Sequence, residues 1–109
     1  MSFMKEELYI EVGKTLELIQ KWENEFKLLT QYFNIEKSDD KRSLSNMNSF
    51  LLRNNHINES EYLCIKKVIE IRNYIIHKLF LEEISFAYEN ILNIQSTIKE
   101  ALEIFETKY

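Results

Sequence analysis

Apolar residues recur in steps of three and four along the first third of the chain, at Leu8, Val12, Leu16, Ile19, Trp22, Phe26, Leu29 and Phe33. That spacing keeps one stripe of an α-helix apolar from Lys5 to about Ile35. Gly13 falls inside the pattern at a cost of about 1 kcal/mol relative to Ala, so a close helix approach or a slight bend is expected there. The polar stretch from Glu36 to Asn46 reads as the first connection. A shorter helix follows, capped at Ser43 or Ser45 and carrying Leu44, Met47, Phe50, Leu51 and Leu52. It ends at Arg53-Asn54-Asn55-His56, where paired asparagines favour a turn.

Asn58-Glu59-Ser60-Glu61 matches a capping box, with Asn58 at the N-cap and Glu61 three residues on. The helix it opens runs from about Glu59 to Phe80. Leu63, Ile65, Val68, Ile69, Ile71, Ile75, Ile76, Leu79 and Phe80 cover most of its circumference, which predicts the central, buried helix. A last helix from Glu82 or Glu83 to about Thr107 carries the stripe Ile84, Ala87, Tyr88, Ile91, Gln95, Ile98, Leu102 and Phe105. Short connections between long helices favour antiparallel neighbours. The expectation is one all-α domain over residues 1–109, an up-and-down bundle of four to five helices.

Composition narrows the function. One Gly and no Pro leave little room for glycine-rich phosphate loops, dinucleotide fingerprints or tight hairpins. Two His and the lone Cys64 fall short of a Cys/His zinc site, so neither metal nor cofactor is expected. Cys64 cannot form an internal disulfide, which fits a reducing cytoplasm, and on the buried helix it reads as a small hydrophobe. No apolar run approaches the roughly 18 residues of a membrane span, and the start lacks a signal peptide's apolar stretch. The net charge of −4 draws the chain to neither DNA nor membrane as a whole.

Charge is unevenly placed, however. Residues 62–81 carry +3, whereas 1–35 carry −2, 36–61 carry −1 and 82–109 carry −4. The positive segment contains the residues that break the hydrophobic pattern. Arg72 sits among Val68, Ile69, Ile75 and Ile76, and removing a guanidinium from water costs several kcal/mol unless a partner or ligand compensates. Asn73 and His77 form an i,i+4 pair about 40° apart on the helix, so the amide is placed to hydrogen-bond the imidazole and fix its tautomer. Arg72 lies roughly 140° from His77 around the same helix, a gap its long side chain can narrow. Lys66, Lys67 and Lys78 complete the positive surface where an anion is expected to bind.

Arg72-Asn73-Tyr74-Ile75-Ile76-His77 resembles the motif of HEPN domains, in which four to six residues separate an Arg from a His and a polar residue follows the Arg. The order of helices is similar too. The resemblance implies a metal-independent endoribonuclease of a toxin–antitoxin or phage-defence system, acting as a homodimer with two motif copies in one cleft. It assigns His77 general acid or base chemistry on the 2′-hydroxyl or the leaving 5′-oxygen. Arg72 then holds the scissile phosphate, and Asn73 orients His77 or touches the phosphate. RNA is the implied substrate and an antitoxin protein a possible partner. The HepT branch of the family has a Tyr two residues after the His, the site of silencing by a nucleotidyltransferase; this chain has Leu79 there.

Each of these residues has a plainer role to set beside the chemical one. Arg72 can be a structural ion pair with a glutamate of a neighbouring helix. His77 can be a satisfied histidine near a helix end. The module can also be non-catalytic, binding a nucleotide or a protein. His56 reads as a loop residue, and Trp22, Phe26 and Phe33 as core rather than a base-stacking platform. The acidic face of the last helix reads as solvated.

Overall fold

A computed structural model describes residues 5–33, 43–80 and 88–108, with the side chains of 5, 6, 8, 78–80 and 88–90 outside that set. Among the described residues four helices form: α1 (Lys5–Tyr32), α2 (Leu44–Arg53), α3 (Glu59–Phe80) and α4 (Tyr88–Glu106). No strand occurs among the described residues, and the all-α bundle expected from periodicity is the one observed. The expected core positions Leu8, Leu79, Phe80, Ile84, Ala87 and Tyr88 lie outside the described side chains.

Local chemistry sets the helix starts. Ser43, with an extended backbone at φ −144° and ψ 154°, is the N-cap of α2, its Oγ accepting the Asn46 N–H at 3.0 Å. At α3 the capping box is reciprocal: Asn58 Oδ1 accepts the Glu61 N–H, and Glu61 Oε1 accepts the Asn58 N–H, both at 2.8 Å. Asn55 takes the left-handed φ of 60° that turns the chain from α2 into α3, a conformation asparagine tolerates better than most residues. His56, at this turn, is half-buried and stacks on Phe33 with ring centroids 3.9 Å apart.

The core is an aromatic knot. Trp22 and Phe26 of α1 stack at 5.2 Å, and Phe105 of α4 closes on them at 6.2 and 5.7 Å. All three are fully buried, with Leu29, Leu51, Ile65, Val68 and Ile98 around them. Trp22 and Phe26 are therefore core, as their spacing predicts.

Polar contacts give the helix directions. Gln95 of α4 meets Glu11 and Thr15 near the start of α1, whereas Phe105 meets Trp22 and Phe26 further along, so α1 and α4 run parallel. Lys108 at the end of α4 reaches Glu61 at the start of α3 at 2.9 Å, so those two are antiparallel. Asn48 Nδ2 donates to the Tyr62 carbonyl at 3.1 Å, while Leu44 lies beside Ile69 and Arg72, which sets α2 against α3 as well. Thus α1, α2 and α4 share one direction and α3 opposes all three, a correction to strict up-and-down order. The reason is the first connection. Between Tyr32 and Leu44 lies more chain than the roughly 2–8 residues typical of bundle connections, ample to span the ~15 Å length of α2.

α3 is central, yet its outer face is more exposed than its composition suggests. Leu63 is 53% and Ile76 44% exposed. Cys64 is half-buried, and desolvation, aided by Glu100, raises its thiol pKa, keeping it the protonated small hydrophobe expected.

Two measurements test this packing. Phe26→Ala is expected to lower unfolding stability in urea by about 3–5 kcal/mol, because no neighbour fills the space inside the aromatic knot. The second concerns Glu11, whose carboxyl is held below its ordinary 4.5 by the Gln95 hydrogen bond first and by Lys14 second. A depressed folded-state pKa adds stability above the ordinary value and loses it as pH falls through the folded value. The gap in melting temperature between wild type and Gln95→Leu is therefore expected to narrow as pH drops below 4.5.

Candidate functional site

The outer stripe of α3 is polar. Lys66, Glu70, Asn73 and His77 follow one another at steps of four, three and four, and all are exposed. Eleven residues of helix place His77 roughly 16 Å along the axis from Lys66. Lys67 and Tyr74 flank the stripe and are exposed too. Lys78 lies in the last turns of α3, with its side chain outside the described set.

Arg72 leaves this stripe and turns toward α1. Its Nε–H donates to Glu23 Oε1, and its NH1 donates to Asn73 Oδ1 at 2.9 Å. The side chains of Arg72 and Glu23 are only 30% and 16% exposed, so the pair sits at the edge of the core. The ion pair with a neighbouring helix, set beside the chemical role at the level of sequence, is therefore present. The structure brings Arg72 and Asn73 together and leaves His77 apart on the solvent face. The expected Asn73–His77 hydrogen bond does not form: the amide oxygen of Asn73 is taken by Arg72, and His77 bonds to no described residue.

Arg72 and Asn73 also border an open hollow whose other wall is the first turn of α2, Ser43, Leu44 and Ser45, with Ile69 at its side. That turn contains no acidic residue, so the positive end of the α2 dipole is not offset by a side chain there. The guanidinium N–H groups not engaged by Glu23 and Asn73 remain for a ligand. Chemically, the hollow suits an anionic oxygen, and the exposed imidazole one turn beyond Asn73 suits proton transfer at the surface. Among the described residues, no group of three or more His, Cys, Asp or Glu side chains is arranged to hold a metal ion.

Glu23 is the functional neighbour that sequence reasoning missed. It lies four residues after Ile19 and three before Phe26, on the margin of the buried stripe rather than opposite it, and that position was the available signal. The first turn of α2 was missed for another reason: only the antiparallel packing of α2 on α3 sets Ser43 beside Arg72.

A double-mutant cycle over Glu23→Ala and Arg72→Ala is expected to show a coupling of about 1–3 kcal/mol in unfolding free energy, above the near-zero of exposed pairs. Arg72→Ala alone is expected to be the more destabilising single change, since it leaves a largely shielded carboxylate without its partner. No protein-family model matches this chain, and neither curated proteins nor solved structures show a significant match to it.

Proposed function

We propose that the chain is a HEPN-like endoribonuclease of a toxin–antitoxin or phage-defence system, metal-independent and working as a homodimer in the cytoplasm. The observation that carries this reading is the exposed His77 one turn from an Asn73 that is itself bonded to Arg72, all on the only positively charged segment of the chain. RNA phosphates supply the anion that such a surface attracts, with Lys66 and Lys67 extending it by about two turns. His77 moves a proton at the 2′-hydroxyl or the 5′-oxygen, and Arg72 with Asn73 holds the phosphate between them.

Arg72 and His77 diverge within one chain, which fits a site completed by two copies. A second copy set against α3 supplies a second imidazole, so that one acts as base and the other as acid. Ile76, 44% exposed beside His77, is an apolar contact for such a pairing. Leu79 in place of the HepT tyrosine argues that an antitoxin partner works by binding rather than by modifying that position.

The Arg72–Glu23 pair favours a second reading, a non-catalytic module that binds a nucleotide or a protein partner through the same surface. One experiment separates the two. Purified protein incubated with RNA in EDTA is expected to cleave it, with His77→Ala slowing cleavage about 10²-fold or more at unchanged circular dichroism and melting temperature. Lys66→Glu/Lys67→Glu is expected to raise KM and leave kcat near wild type. Cleavage that requires added metal, or that persists in His77→Ala, overturns the ribonuclease reading. Motif-dependent binding without cleavage selects the second.

A further inference from the structure

The seam of α1 and α4 holds a second concentration of cations, on the side of α1 opposite Glu23. Lys14 and Lys21 stand two turns apart on α1, and Lys99 joins them from α4 around an open hollow of about 330 Å³. Glu17, Leu18 and Gln95 complete its lining. Three ammonium groups against the lining Glu17 and the adjoining Glu11 still leave a local excess of positive charge in a chain whose net charge is −4.

Two features separate this hollow from scattered surface lysines. The first is its floor. Gln95 is buried, and its Nε2 donates to Glu11 Oε2 at 2.9 Å, to the Glu11 carbonyl at 3.3 Å and to Thr15 Oγ1 at 3.2 Å. A carboxylate and a carbonyl on that side fix which way the amide faces, so the floor is held rigid before any ligand arrives. The second is the state of the lysines. Lys14 pairs with Glu11 at 3.2 Å, but Lys21 and Lys99 make no ion pair or hydrogen bond with any described residue. The three ammoniums outnumber the Glu11 and Glu17 carboxylates beside them, and an anion between them reduces the repulsion that remains. The hollow lined by Glu61, Glu100 and Glu103 at the other end of α4 has the opposite character.

We infer that the Lys14–Lys21–Lys99 hollow binds a phosphoryl group. Lysine ammoniums act as point charges with rotatable donors, so they accept a tetrahedral oxyanion in several orientations rather than demanding the planar fit of an arginine fork. The volume is at the lower edge of the roughly 300–1,000 Å³ of ligand sites, which suits a small phosphorylated compound or one stretch of nucleic-acid backbone. The inference stands independently of the α3 surface, which lies on the other side of α1.

The test uses the full-length protein titrated with inorganic pyrophosphate and, separately, with an RNA oligonucleotide, followed by amide chemical shifts and calorimetry. The expected result is saturable shifts at residues 14–21 and 95–99, with affinity weakened on the order of tenfold in Lys21→Glu/Lys99→Glu. Melting temperature should hold, because both lysines are exposed; the neutral pair Lys21→Gln/Lys99→Gln gives the same ranking if it does not. Lys66→Glu/Lys67→Glu, on the other surface, should leave pyrophosphate binding unchanged. Saturation by pyrophosphate assigns a free phosphorylated ligand, and saturation by RNA alone assigns the backbone; either supports the site. Shifts at residues 14–21 and 95–99 that never saturate with either probe, or equal weakening of pyrophosphate binding by the α3 lysine changes, overturn it.

Discussion

A permanent cation placed in an apolar stripe must be neutralised, and the way Arg72 meets that requirement organises one side of the bundle. Glu23 of α1 takes its Nε–H and Asn73 takes NH1, so the guanidinium ties α3 to α1 at the level where α2 begins. Neither partner is deeply buried, which keeps desolvation modest and leaves the pair partly screened by water. The contact is thus a positional constraint more than a large store of stability. It fixes where α1 crosses α3 and which guanidinium edge borders the hollow at Ser43.

The remaining polar contacts do comparable work at the other seams. Gln95 joins α4 to the start of α1, Lys108 joins the end of α4 to the start of α3, and Asn48 pins α2 to α3. Apolar burial drives these helices together, but it is non-directional and does not choose which end of one helix meets which end of another. Each of these bonds does choose, because a displaced register would leave a shielded polar group without a partner. A bundle in which α3 opposes three parallel neighbours is the arrangement in which all four contacts are made at once.

The two cationic surfaces differ in construction, and the difference bears on what each can do. On α3, Arg72 is engaged from two sides and His77 is free in solvent, so the proposed chemistry depends on a second copy or a substrate to bring them together. On the α1–α4 seam, the lysines surround a floor already held by Gln95. The floor of the proposed seam site is thus preformed, whereas the proposed α3 site requires assembly.

The sequence by itself determined the helices. The three- and four-residue steps of α1, the Asn58–Glu61 box and the asparagine turn before it are local signals, set by backbone hydrogen bonding and side-chain spacing within a few residues. It also singled out Arg72, Asn73 and His77, because a charge in an apolar stripe is visible without a fold. Only the tertiary structure decided that Arg72 turns to Glu23 rather than to His77, and that Leu63 and Ile76 remain in solvent. Only it set the direction of α2 and gathered Lys99 to Lys14 and Lys21 across two helices. The physical reason is range. Periodicity reports which face of a helix is buried, while the identity of the neighbour across that face depends on contacts between residues tens of positions apart, which leave no local trace in the chain.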